Sequence, residues 1–244
     1  MEIWITGAGG RIGTILRKHW SGTQQFAGFD SKPYTTRKRT TIRKEKPMPT
    51  LYELRKTIIA HVEKTCADFD YNHDYQHHIR FVARDAERLA QAEGADPDIC
   101  WTAAMLHELG LKGGRKGHDE RGPEVARDFL RSIGTPPDTV RSVVEVLRVH
   151  HNHAAVRSAS TEAQCVHDAN ELHTVGPNGF LRVFSDMIHV LDNLPRHEAI
   201  SRLEDQYLER RLEMFQTRAG RERAEEDMAL LRKFIWRYHA YERL

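Results

Sequence analysis

The sequence predicts a mainly α-helical fold, and three observations carry that expectation. From Leu51 to the C-terminus apolar residues recur at helical spacing almost throughout, and no alternating run of strand length appears. The breaks are helix punctuation: Asp96-Pro97 and Pro136-Pro137-Asp138 open helices, and Gly94, Gly110 and Gly134 close them. A length of 244 residues allows one large domain, or a medium domain plus an appendage too small to fold alone.

Taken in order, residues 2–6 (Glu-Ile-Trp-Ile-Thr) read as a short buried strand. The glycine turn Gly7-Ala8-Gly9-Gly10, a helix over 11–20 and a second short strand ending at Asp30 complete a β-α-β unit over residues 1–30. Residues 31–50 are basic, Thr- and Pro-containing and aperiodic, which marks a linker. The helical domain then runs over 51–244, with helices expected at 51–66, 73–93, 97–109, 120–133, 137–152, 161–173, 178–193, 197–216 and 219–241. In the second of these Ile79, Val82, Ala83, Ala86, Leu89 and Ala90 form the buried stripe, and Met228, Leu231, Ile235 and Tyr238 do so in the last.

The net charge of +2 conceals a step: residues 1–50 carry ten Lys/Arg against three acids, or +7, and the rest of the chain carries −5. Such asymmetry argues for two pieces of different origin. Nucleic-acid binding is not expected of the basic piece, because its cations lie in an aperiodic linker with few aromatics. No apolar run reaches the ~18 residues of a membrane span, and Met1–Ile12 carries Glu2 and Arg11 where a signal peptide would be apolar. Cys66, Cys100 and Cys165 are odd in number and far apart, which excludes a disulfide framework and a Cys-x-x-Cys zinc knuckle. A reducing, cytoplasmic setting with no membrane association is the expectation.

Ten of the fifteen histidines fall between His73 and His173. Imidazole is the commonest metal ligand, so this clustering is the leading functional signal. Its sharpest point is Ala103-Ala104-Met105-Leu106-His107-Glu108-Leu109-Gly110, an apolar helix whose last turn presents a His and an acid side by side. One helix earlier, Tyr75-Gln76-His77-His78-Ile79-Arg80 supplies another histidine, and far downstream Gln164-Cys165-Val166-His167-Asp168-Ala169-Asn170 supplies an acid. Nitrogen and oxygen donors from three helices are enough to hold one metal ion.

In that order these segments resemble the HD-domain metal-dependent phosphohydrolase superfamily, whose ligands are a His, a His-Asp doublet and a distant Asp, all on helices. The resemblance covers about residues 55–241 and includes His73–Arg80 with His78 in the ligand position, Gly117-His118 to Leu130, Val149-His150-His151, Asp168 to Gly176, and Thr217 to Glu225. It implies an HD-type helical bundle. It further implies a divalent metal (Mn, Mg, Fe, Ni or Zn, not distinguished) on His78, His107, Glu108 and Asp168, and a phosphorylated small molecule, a nucleotide or related ester, as substrate. Glu108, His118 and Asp168 would serve the chemistry, through a metal-activated water attacking phosphorus. Arg80, Lys112, Arg115, His150 and His151 would bind substrate. The chain departs from the family pattern in two places. Glu108 stands for Asp, moving the carboxylate by about 1.5 Å, and Asn170 and His173 stand where that branch carries acids. Two other readings follow from the same resemblance: a di-iron HD-type oxygenase, and a catalytically degenerate binding module.

The N-terminal Thr6-Gly7-Ala8-Gly9-Gly10-Arg11-Ile12-Gly13, with Asp30 ending the next strand, resembles the start of extended short-chain dehydrogenases of the NAD-dependent epimerase/dehydratase type. In that family Gly7, Gly10, Gly13 and Asp30 would approach the dinucleotide. The likeness covers only about 30 residues of a fold that needs a six-stranded sheet, so a truncated Rossmann-like appendage is expected, without NAD binding. Its exposed strand edges would have to pack on the helical body, pair with another chain, as in a homodimer, or stay unpacked.

Overall fold

A computed structural model of the chain describes residues 47–70, 72–185, 187–188, 193–204 and 211–242. The expected β-α-β unit, with Gly7, Gly10, Gly13 and Asp30, and nearly all of the linker lie outside the described residues. Among those described there is no strand, and the architecture is helical. Among the described residues no helix is long and apolar enough to cross a membrane. The three cysteines are buried and unpaired.

Helix α1 (Leu51–Thr65) starts at a capping box, in which the Thr50 side chain accepts from the Glu53 amide while the Glu53 carboxylate accepts from the Thr50 amide. It buries Leu51, Leu54, Ile58 and Val62. The second element begins as a π-helical turn, Tyr75–Ile79, capped by Asp74, and continues as α2 (Arg80–Glu93) until Gly94 turns left-handed at φ 72°. Helix α3 (Pro97–Leu106) has Asp96 accepting from two first-turn amides and Pro97 in the first turn. Every residue from Cys100 to Leu106 is buried, because α1, α2, α5 and α7 all pack around this helix.

Helix α3 ends at Leu106, three residues before the expected limit, and the chain tightens into a 3₁₀ turn, Leu109–Gly113. The reason lies in the next helix, α4 (His118–Ser132): its Arg121 donates to the carbonyls of Gly110, Gly114 and Lys116, which an α-helix would use itself. Gly110 lies so close to α4 that an added Cβ would sit 2.1 Å from the His118 carbonyl oxygen. Gly110→Ala is therefore expected to cost about 2–3 kcal/mol, readable by urea denaturation, and to displace Glu108 two residues away.

Helix α5 (Pro137–Val149) also stops short of its expected end at 152. Asn152 explains this, since its side chain accepts from the Ala155 amide and starts a separate turn, α6 (His153–Val156). Then follow α7 (Thr161–Val175, capped by Ser160), α8 (Pro177–Ser185) and α9 (Arg196–Leu203), then a 3₁₀ turn at Arg211–Met214 and α10 (Arg218–Glu242). The single helix expected over 197–216 is thus not formed. Phe215 is 1% exposed, and the next two amides bond to Asp168 of α7, which pins this stretch as the entry to α10. Helix α2 lies against both α3 and α7, so the three motif-bearing segments meet at one place. Arg55 ties α1 to the pair α2–α3 by donating to Glu87 (2.6 Å) and Asp98 (2.8 Å) while lying over the Trp101 ring.

Candidate metal centre

The π turn decides which of two adjacent histidines enters the core. His77 is largely exposed and pairs with Asp74, whereas His78 is 2% exposed. His107 and Glu108, at the broken end of α3, are 3% and 5% exposed. These three side chains converge. His78 Nε2 lies 3.1 Å from His107 Nε2 and 3.4 Å from Glu108 Oε1, and His107 Nε2 lies 3.5 Å from the same oxygen. Two imidazole nitrogens and a carboxylate gathered this closely form a group able to hold a metal ion.

Hydrogen bonds orient the group. His107 donates Nδ1–H to the Ala104 carbonyl at 2.6 Å, which turns Nε2 toward Glu108. Burial alone would raise the Glu108 carboxyl, but the His107 and His78 rings outweigh it and hold the group well below the ordinary value. Burial drives His78 well below its own ordinary value, so the ring is neutral. A neutral imidazole and an ionised carboxylate are the forms that ligate metals.

Asp168, expected as the distant ligand, is not part of this group. Its Oδ2 accepts from the Thr217 amide (2.7 Å) and hydroxyl (2.6 Å), and its Oδ1 from the Gln216 amide (2.9 Å). The carboxylate thus caps the start of α10. Burial raises its carboxyl above the ordinary value, although the Thr217 hydroxyl and the two amides pull the other way. The α7 side chain that does approach His78 is His173, at 5.2 Å between ring centroids, with a buried Nδ1 that has no hydrogen-bond partner.

A second group, His118, Asp119 and His151, also has the donors to hold a cation. His118 Nε2 is 3.0 Å from Asp119 Oδ1, His151 Nε2 is 3.6 Å from it, and the His151 ring lies 6.5 Å from that of His107. His150 is buried beside them; its Nδ1 donates to the Leu147 carbonyl, and its Nε2 has no partner. Of the residues expected to bind substrate, His150 and His151 therefore stand next to the centre. The cations do not join it: Arg80 is exposed and donates to the Gln76 carbonyl, Lys112 is exposed, and Arg115 pairs with Asp70 at 3.4 Å.

Sequence reasoning missed a cavity of about 510 Å³ on the far side of His173, lined by Phe81, Arg84, Asp85, Arg88, Leu172 and Arg223 among others. Spacing held a signal, because Phe81, Asp85 and Arg88 follow His78 at three, seven and ten residues, one face of α2. Arg182 of α8 was missed as well; it donates to His78 Nδ1 at 3.1 Å.

Residues 75–175 match the HD domain family model. Among solved structures, a predicted HD superfamily hydrolase from an uncultured Thermotogales bacterium is 24% identical, with 77% of this chain and 92% of that one covered and a TM-score of 0.59. An HD-superfamily hydrolase from Bacillus thuringiensis is 20% identical over 80% of this chain and 99% of that one, TM-score 0.64. Bacillus subtilis YpgQ in complex with ADP is 22% identical over 79% and 96%, TM-score 0.63. These likenesses establish the helical HD-type fold. No curated protein matches the chain.

Proposed function

From the HD domain over residues 75–175 as premise, we propose that the chain is a metal-dependent hydrolase that cleaves a phosphate ester or anhydride in a small phosphorylated molecule, a nucleotide in the first instance. The observation that carries this reading is the convergence of His78 Nε2, His107 Nε2 and Glu108 Oε1. Their chemistry fits a divalent ion: two imidazoles, one of them oriented by a carbonyl, and a carboxylate that stays ionised. A bound divalent ion supplies Lewis acidity and acidifies water. Around it, Glu108 would fix negative charge, while His118 and His151, joined through Asp119, would pass a proton to a leaving group. Arg84, Arg88 and Arg223 line the neighbouring cavity and pair there with Asp85 (2.8 and 3.8 Å) and Asp227 (3.2 Å), so three guanidiniums against two carboxylates leave one positive charge to favour a phosphate-bearing ligand. YpgQ, of the same fold, was solved with ADP. Asp168 serves this reading as a structural cap.

The group His118, Asp119 and His151 favours a second reading, a two-metal centre with oxidative chemistry. One experiment separates them. Protein stripped by a chelator and reloaded with single divalent metals is offered nucleoside mono-, di- and triphosphates. Release of phosphate or pyrophosphate that disappears on stripping and returns on reloading is the expected result. Two irons per chain with oxygen consumption and no release would replace the hydrolase reading by the oxidative one, and no metal uptake at all would leave a binding module.

A further inference from the structure

Helix α10 turns one apolar face to the core and leaves a second one in water. Residues three and four apart share a side of a helix, and Arg223, Glu226, Leu230, Phe234, Arg237 and Tyr241 form one such side of α10, every one of them exposed. Its apolar members are open to solvent: Leu230 by 55%, Phe234 by 53% and Tyr241 by 82%. The core-facing side, with Ala224, Met228, Leu231 and Ile235, is buried. The apolar surface continues past α10, because the ring of Phe180 in α8 lies 5.4 Å from that of Phe234 between centroids, and the next residue, Leu181, is 61% exposed. At 1.5 Å per residue the side from Arg223 to Tyr241 is about 27 Å long, and large apolar groups grouped in this way mark an interaction surface.

We propose that this face binds a second copy of the chain, α10 against α10 in the antiparallel sense, about a twofold axis near Arg232. Charge chooses that occupant. About such an axis, residues equally far before and after Arg232 come opposite each other. Leu230 then meets the partner's Phe234, and Phe234 meets the partner's Leu230. Glu226 comes within one residue of the partner's Arg237, and Arg223 faces the partner's Tyr241, whose ring can accept a cation. The parallel arrangement would instead set Glu226 on Glu226 and Arg237 on Arg237, like charge on like. The face is therefore complementary to itself in one sense only, as a contact between identical surfaces requires. Little within the chain competes for these charges. Among the described residues Arg237 has no ion pair, its guanidinium lying 5.9 Å from the Trp236 ring. Glu226 meets Arg223 at 3.6 Å, but Arg223 sits closer to Asp227, at 3.2 Å, and exposed pairs of this kind contribute little. The inference stands apart from the metal-group reading, since none of these residues belongs to that group.

Sedimentation equilibrium of the full chain, with a thermal melt of each variant, tests this. Wild type is expected to sediment at twice the 28.2 kDa of one chain. Leu230→Glu places a charge against the partner's Phe234 at both symmetry-related contacts and should raise the dissociation constant at least about 100-fold. Glu226→Arg sets like charges opposite each other and should raise it about 10-fold. Combining Glu226→Arg with Arg237→Glu exchanges the two signs and should restore wild-type association. Trp236→Ser removes another exposed aromatic, two residues from Phe234 and off this side of the helix, and should leave the dimer intact. A wild type that stays monomeric up to about 100 μM, weaker than an ordinary specific contact, would overturn the proposal. So would a dimer that survives Leu230→Glu, a charge exchange that fails to restore association, or a Trp236→Ser chain that dissociates. Should Leu230→Glu fail to melt cooperatively, the charge exchange decides, because it alters only solvent-exposed side chains.

Discussion

Replacing Glu108 by glutamine is expected to lower divalent-metal affinity at least about 100-fold, since loss of an outer partner alone costs 10- to 100-fold, and to remove metal-dependent phosphate release. The substitution keeps shape and volume while deleting the only carboxylate in the converging group. Cation binding in a site 5% exposed depends on that charge, because two imidazoles alone leave the ion's charge uncompensated where water is scarce. The fold should survive, because the glutamine amide fills the same space and can still hydrogen-bond the two rings beside it. Isothermal titration with Mn²⁺, alongside a thermal melt, separates the two effects. A glutamine variant that binds Mn²⁺ as wild type does would remove Glu108 from the site.

Asp168→Ala tests the opposite assignment, a carboxylate that serves structure. Both oxygens of this fully buried group accept hydrogen bonds, so alanine strands the Gln216 and Thr217 amides and the Thr217 hydroxyl. At about 1–3 kcal/mol for each stranded buried donor, partly relieved by rearrangement, the expected loss is about 3 kcal/mol. That corresponds to a fall in Tm of about 6–12 °C. Metal affinity of the folded variant should be unchanged; a selective loss of affinity with an unchanged melt would return Asp168 to the metal group.

These two carboxylates also show what the sequence could and could not convey. The burial of Glu108 beside His107 was legible, because the pair stands at the end of an apolar helix, where burial of both follows from local pattern. The choice of His78 over His77 was legible too, through the motif, and the π turn that seats it supplies the physical reason. The hydrogen bonds of Asp168 to the start of α10 were not legible, since these partners lie 48 and 49 residues downstream and an acid capping a distant helix leaves no local trace. Arg182, Arg84 and Arg88 sit on amphipathic helices where arginines read as solvated face; only packing reveals that one of them reaches a buried imidazole. Most helix starts were legible through Thr50, Asp96 and Pro137. The early ends of α3 and α5 were set by Arg121 and Asn152, side-chain competitors that periodicity does not weigh.

The most direct measurement of the central claim is phosphate or pyrophosphate release followed against bound metal on one chelated sample of the full chain, with His107→Ala as control. The account predicts release from a nucleotide that rises in step with occupancy of a site the control lacks. Release that is independent of bound metal, or equal in wild type and His107→Ala at matched metal, would contradict it.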